Sequence, residues 1–301
     1  MYSSLIDGII LDPALMVIPL DDHMVHRGHG VFDTAMLVNG CIYDLDSHLD
    51  RFIKSASKAK IPSPFSHRSL KKIILQLAAS SKLREGSIRY WLSAGQGSFT
   101  VSFPTPPQSA FYAIIIDKKY NRKLKGAKVV TSSIPMKPPM FATMKSVNYL
   151  PNVLSQLEAE EKGAYASVWV DEDGFIAEGT CANIAIVSKC KELLLPLSEK
   201  IFGGCTSKRL SVLALKLVEK GVLKSVNVRR VAEAEARDSA EMMLVSSLTH
   251  VMPVVEWDDQ PIGDGRVGEL TVAIANLFWE DVTEGPEMLR TPVPYKELQI
   301  L

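Results

Sequence analysis

Four features carry residue types able to do covalent or ionic chemistry. Lys145 stands in Lys-Ser-Val-Asn-Tyr-Leu-Pro-Asn, with Phe141, Met144, Val147 and Tyr149 around it. An amine held among apolar side chains loses hydration, its pKa falls, and it becomes the nucleophile that Schiff-base chemistry needs. Glu178 ends a predicted strand in Ala-Glu-Gly-Thr, where a carboxylate beside Gly179 can face a pocket. Gly203-Gly204-Cys205-Thr206 opens a predicted helix. Unpaired amides and the helix dipole attract anions at such a terminus, and glycine admits a close approach. Ser246-Ser247 sits between two apolar strands, and its hydroxyls and turn amides suit a phosphate. Each feature also has an ordinary reading: a surface lysine, a solvated glutamate, the entry to a helix capped by Thr206, plain turn residues.

The elements that must position these residues follow from periodicity. Ile9-Ile10-Leu11 and Met16-Val17-Ile18 are short apolar runs near the N-terminus. Val31 to Val38, Asn39-Gly40, then Cys41 to Tyr43 predicts a hairpin, because Asn-Gly suits a type I′ turn. Ser47 can cap a helix with Leu49, Phe52, Ile53, Ala56 and Ala59 on one face, and Leu70, Ile73, Ile74, Leu77 and Ala78 mark a second. Ile88 to Leu92 and Phe111 to Ile116 read as strands, joined by a loop at Thr105-Pro106-Pro107. Six Lys and Arg residues then fall within 118–128 with no acid inside the run, which reads as an anion-binding patch or a solvated linker.

A strand over Ala127 to Ile134 opens the second half. A helix spans about Pro151 to Lys162 and stops at Gly163. A hairpin pairs Ser167–Val170 with Phe175–Glu178, and Asn183–Val187 and Leu193–Leu195 are further strands. A helix after Thr206 turns Leu210, Leu213, Ala214, Leu217 and Val218 inward. Met242–Val245 and Val251–Trp257 flank the Ser246-Ser247 turn, and a last helix carries Leu270, Ile274, Leu277 and Phe278. The division expected is a small N-terminal α/β domain at 1–118, a linker at 119–125 and a larger domain at 126–301.

The chain has 301 residues, 47% of them hydrophobic, with 34 Lys+Arg against 34 Asp+Glu. A chain this long can bury a sizeable core without staples. Zero net charge argues against nucleic acid and against a polybasic membrane surface as partners. Cys41, Cys181, Cys190 and Cys205 form no C-x-x-C pair and read as reduced thiols. No apolar run is long enough for a membrane helix. The expectation is a soluble intracellular protein, plastid if it is a plant protein whose transit peptide has been removed, otherwise cytoplasmic.

The features together resemble the fold-type IV pyridoxal-phosphate enzymes: branched-chain aminotransferases, D-amino-acid transaminases and 4-amino-4-deoxychorismate lyases. The resemblance runs from His26-Arg27-Gly28-His29-Gly30-Val31-Phe32-Asp33 through Leu49-Asp50-Arg51-Phe52 and the Lys145 segment. It continues through Glu178-Gly179-Thr180-Cys181-Ala182-Asn183, Gly204-Cys205-Thr206 and Ser246-Ser247-Leu248-Thr249-His250-Val251, covering roughly 5–282. It implies a two-domain mixed α/β fold with pyridoxal 5′-phosphate between the domains, and a homodimer. It implies that Lys145 holds the cofactor aldehyde and shuttles the substrate proton, and that Glu178 pairs with the pyridine nitrogen, which keeps the ring an electron sink. Arg51 matches the phosphate arginine, whose fork suits the ligand. Thr206, Ser247 and the amides of Cys205 and Ser246 would complete the phosphate cup, and Tyr149 matches the tyrosine near the ring hydroxyl.

The chain departs from the family in one respect. Several bacterial D-transaminases carry an Arg-x-His carboxylate trap after the strand at Ile88–Leu92; here the stretch is Ser98-Phe99-Thr100-Val101-Ser102, with no cation. Phe32 replaces their tyrosine. Arg27 and His29 are the candidates to hold the substrate carboxylate, with Phe32 and Thr249 also on the substrate side. Arg89 is a further cation that reads as structural. Thr34 resembles the threonine that lyase members place near the reacting carbon.

The activity expected is ping-pong transamination of D-amino acids, D-alanine and D-aspartate among them, with 2-oxoglutarate. Aminodeoxychorismate cleavage to 4-aminobenzoate and pyruvate is second, and branched-chain transamination third. His23, His26 and His29 beside Asp21 and Asp22 raise a metal-dependent hydrolase as another class. No second ligand motif accompanies them, so no metal site is expected. A cofactor-free scaffold is opposed by the joint presence of Lys145, Glu178 and Arg51.

Overall fold

The computed structural model describes residues 1–102 and 107–296. Thr105 and Pro106 of the expected loop lie outside the described residues. The chain opens with strands β1 (Tyr2–Ser3) and β2 (Gly8–Ile9), helix α1 (His23–Arg27) and strand β3 (Gly30–Val38). Strand β4 (Cys41–Tyr43), helices α2 (Leu45–Lys58) and α3 (His67–Ser81), and strands β5 (Gly86–Ser93) and β6 (Ala110–Ile116) follow. Next come β7 (Ala127–Thr131), α4 (Pro139–Ala142), α5 (Leu150–Glu161), β8 (Ala166–Val170), β9 (Ile176–Gly179), β10 (Asn183–Val187) and β11 (Glu192–Leu195). Helix α6 (Cys205–Glu219), β12 (Ser225–Val228), α7 (Glu233–Arg237), β13 (Glu241–Ser246), β14 (His250–Trp257) and β15 (Gln260–Pro261) lead to α8 (Glu269–Glu284) and β16 (Arg290–Pro292).

These elements form two compact units. One comprises Met1–Asn121, Met144–Asn148 and the chain from Val282 onward; the other comprises Arg122–Thr143 and Tyr149–Asp281. The first is built on an antiparallel sheet of seven strands in the order β16-β4-β3-β5-β6-β1-β2. Its register pairs Val31 with Leu92, Asp33 with Tyr90 and Ala35 with Ile88. Opposed residues in antiparallel strands share a face. That face packs on Leu49 and Phe52 of α2 and Leu70 and Ile74 of α3, all without solvent exposure. The hairpin expected at Asn39-Gly40 is present, with both residues at positive φ (52° and 75°), as a type I′ turn requires.

The second unit is a nine-stranded mixed sheet, ordered β12-β11-β10-β13-β14-β7-β8-β9 with β15 on β14. Its parallel pairs are β11 with β12, β14 with β7, and β7 with β8. Among the described residues no helix is long and apolar enough to cross a membrane.

Two local expectations, both helix caps, are corrected. Helix α2 is capped at Asp44, not Ser47. Leu45 and His48 join Leu49 and Phe52 in the buried face, so the helix extends back to the first residue that face can use. Helix α6 is capped at Gly204, with Thr206 one residue inside the helix. A Cβ at Gly204 would lie 2.0 Å from Asn183 Oδ1, so no larger residue fits that cap without a shift. Of the two N-terminal apolar runs only Ile9 enters a strand; Leu11 and Val17 are exposed.

Candidate active site

Strand β4 is short, so the start of β3 is left without a strand on that edge. Residues 145–147 fill the place. Phe32 N–H donates to the Lys145 carbonyl at 2.9 Å, Val147 N–H to the Gly30 carbonyl at 3.0 Å, and Val31 bridges Ser146. Lys145 N–H donates to Ser55 Oγ of α2 at 3.2 Å. The lysine backbone is thus locked to β3. Its Nζ lies 4.7 Å from the centre of the Phe32 ring. An ammonium against an aromatic face gains a cation–π attraction while losing part of its hydration.

The β3–β5 register sets Thr34 opposite Arg89 and Phe32 opposite Trp91, on the face away from α2 and α3. Arg89 Nε donates to Thr34 Oγ1 at 3.1 Å, and its guanidinium lies 5.7 Å from the centre of the Phe32 ring. Burial, and then the positive charge of Arg89, hold the Lys118 amine below its ordinary pKa. Arg89 and Lys145 thus both lie against the Phe32 ring.

Arg51 is tied to Asp33. Its Nε meets Asp33 Oδ2 at 2.8 Å and its Nη2 meets Oδ1 at 2.7 Å, the two-pronged geometry that guanidinium and carboxylate share. His48 Nδ1 lies 3.0 Å from Asp33 Oδ1 and 3.1 Å from Arg51 Nη2. Asp33 is fully buried. Burial works to raise its pKa, but the charges of Arg51 and His48 and their hydrogen bonds hold the carboxyl well below the usual range. Sequence reasoning passed over Asp33 and His48. The available signal was an acid in the otherwise apolar inward series Val31, Ala35, Leu37, with His48 one helical turn before Arg51.

Arg27 ends α1, and His29 lies between that helix and β3. Arg27 is exposed; its Nη1 donates to the His26 carbonyl at 2.8 Å and its Nη2 to the Phe99 carbonyl. The ring Nε2 of His29 is 2.8 Å from the Ala59 carbonyl. Asp22, the acid nearest Arg27 in sequence, is buried and caps α1 at Met24 N–H while accepting from Tyr112 Oη at 2.7 Å. Among the described residues no group of three or more His, Cys, Asp or Glu is arranged to hold a metal ion.

In the second unit Glu178 is half-buried near the end of β9. Tyr149 is the residue before α5, its ring 4.6 Å from Lys137 Nζ. Helix α6 starts at buried Cys205, behind the N-cap Gly204, which makes no side-chain hydrogen bond to it. There, Thr206 Oγ1 and Ser247 Oγ are 3.3 Å apart, brought together from the helix start and the β13–β14 turn. Ser246 Oγ and Thr249 Oγ1 are 2.6 Å apart across the same turn. Thr249 also lines a cavity with Gln156, Tyr165, Thr180, Cys181 and Ala182.

Comparison with known proteins identifies the family and the fold. Residues 30–257 match the family described as amino-transferase class IV. A D-amino-acid transaminase, chloroplastic, of Arabidopsis thaliana is 53% identical over 98% of this chain and 79% of its own length. A D-alanine aminotransferase of Bacillus licheniformis is 26% identical over 89% of this chain and 92% of its own. In fold, the chain resembles the branched-chain amino acid aminotransferase from Thermobaculum terrenum, solved in its PLP form. The TM-score is 0.82 at 19% identity, covering 92% of this chain and 94% of that one. The two curled sheets are those of the fold-type IV enzymes.

Proposed function

We propose that this chain, which belongs to the class IV aminotransferase family, moves amino groups between D-amino acids and 2-oxo acids. It is an aminotransferase, and its cofactor is pyridoxal 5′-phosphate. The observation that carries the D-amino-acid reading is the 53% identity to a D-amino-acid transaminase across nearly the whole chain. D-Alanine and D-aspartate are the donors proposed, with 2-oxoglutarate as acceptor.

The residues present fit the cofactor. A phosphate needs several donors converging with positive charge. A helix start behind a glycine N-cap, with two hydroxyls 3.3 Å apart, supplies the donors, and Arg51, whose fork Asp33 holds, would add the positive charge. Thr206, Ser247, Arg51 and the amides of Cys205 and Ser246 would hold the phosphate. Tyr149 would face the ring hydroxyl, and Glu178 the ring nitrogen. When bound, the cofactor supplies an electron sink for the negative charge left on the substrate α-carbon.

In this reading the chain's own groups do the rest. The Lys145 amine would carry the proton between the substrate α-carbon and the cofactor, in opposite directions in the two halves of the cycle. Its backbone bonds to β3 fix the point from which the side chain reaches toward the hydrogen-bond distance that proton transfer demands. The Glu178 carboxylate keeps a proton on the ring nitrogen. Arg27 and His29 would bind the substrate carboxylate, beside Phe32 and Thr249. Arg89 joins them as a candidate, because its guanidinium shares the Phe32 ring with Lys145.

Thr34 supports a second activity, cleavage of aminodeoxychorismate to 4-aminobenzoate and pyruvate, since it lies on the same face of β3 as Phe32. A homodimer belongs to the proposal. Leu150, Val153, Leu154 and Leu157 recur at helical spacing on α5 and are all exposed, a stripe that a second copy would cover. Residence in a plastid is proposed from the chloroplastic relative.

Product analysis tests the proposal. Holoenzyme with D-alanine and 2-oxoglutarate should yield pyruvate and D-glutamate. Formation of L-glutamate from L-donors only would overturn the D-assignment, and release of 4-aminobenzoate would favour the second activity.

A further inference from the structure

Helix α5 starts directly after Tyr149, and Asn152 lies in its first turn. Asn152 is only 5% exposed. Its Nδ2 donates to the Thr180 carbonyl at 2.6 Å. Its Oδ1 has no hydrogen-bond partner among the described residues. Burying an unpaired acceptor carries the full cost of its desolvation. An apolar side chain would avoid that cost, so the amide is there for its donor.

The acceptor is well placed. Thr180 stands two residues beyond Glu178, on the turn that ends β9. Thr180 N–H donates to the Ser167 carbonyl at 3.0 Å, and Ser167 N–H donates to Thr180 Oγ1 at 3.0 Å. The turn closes on itself through Gly179 N–H to the Ala182 carbonyl at 2.8 Å. Those bonds fasten the turn to its own sheet. The Asn152 amide fastens it to the helix that begins at Tyr149.

We propose that Asn152 is a positioning residue that sets the spacing between Tyr149 and Glu178. The inference rests on the roles proposed above for those two residues, at the ring hydroxyl and the ring nitrogen of one rigid cofactor. Two protein groups can serve two fixed points of a rigid ring only at one separation. A displacement of about 1 Å at such a site can slow a reaction by roughly a hundredfold.

The test combines single and paired substitutions. With cofactor saturating, Asn152→Ala should slow the half-reaction with D-alanine about tenfold, within that range. It should also shift the visible absorbance band of the bound cofactor in the direction seen with Glu178→Gln. Added to Glu178→Gln, it should cause no further change in band or rate. Asn152→Ser, which keeps a hydroxyl too short to reach Thr180, should behave alike and serves if the alanine variant does not fold. Unaltered rate and band in either folded variant, or effects that simply add to those of Glu178→Gln, would overturn the proposal. If Glu178→Gln itself leaves band and rate unchanged, the failure lies with the role of Glu178.

Discussion

At the scale of the residue, Lys145 is where chain geometry and chemistry meet. Its carbonyl and amide are both spent on fixed partners, Phe32 and Ser55, so only the side chain is left to move. Lys145→Ala should abolish the visible absorbance of the cofactor joined to the protein and abolish transamination; turnover near that of the unsubstituted enzyme would refute the assignment. Arg51 is expected to act on affinity rather than chemistry. Hydrogen bonds to a charged group are worth about 1.5–3 kcal/mol, so Arg51→Ala should weaken binding of pyridoxal 5′-phosphate about ten- to hundredfold in direct titration. An unchanged dissociation constant would refute its phosphate role. Residue types were legible from the chain: an amine in an apolar stretch, a carboxylate at a strand end, an arginine on a helix. Asp33 and His48 were not, because their importance arises from a strand and a helix meeting face to face.

At the scale of the element, the β3–α2 contact joins an apolar face to one buried ion pair. The Asp33 carboxyl is more acidic in the folded chain than in the unfolded one. The unfolded chain therefore binds its proton first as pH falls. The stabilisation is fully present above the ordinary aspartate pKa of about 3.9, and is lost as pH drops below that toward the folded value. Asp33→Asn leaves Arg51 beside a neutral partner and should cost about 3–5 kcal/mol near neutral pH. The cost should shrink in acid, so urea titrations of the two proteins should converge at low pH. A constant difference at every pH would contradict this. Helix periods and the Asn39-Gly40 turn were readable because they are local. The caps at Asp44 and Gly204 were not, since a neighbour sets each: the buried face for one, Asn183 for the other. Strand β16 left no mark because three residues carry no period, and its place is given by pairing with β4, far away in sequence.

At the scale of the whole molecule, the two units are built on sheets of different kinds, one antiparallel and one mixed. The exposed α5 stripe predicts that the chain sediments as a dimer, and that Leu154→Lys shifts it toward monomer; a monomeric unsubstituted protein would contradict the second copy. The central claim is that this is a D-specific aminotransferase. It is tested most directly by mixing the holoenzyme with D-alanine alone, then L-alanine alone, and following cofactor absorbance through one half-reaction. The account predicts rapid, complete loss of the visible band with D-alanine and little change with L-alanine. Equal rates with both, or a response to L-alanine alone, would contradict it.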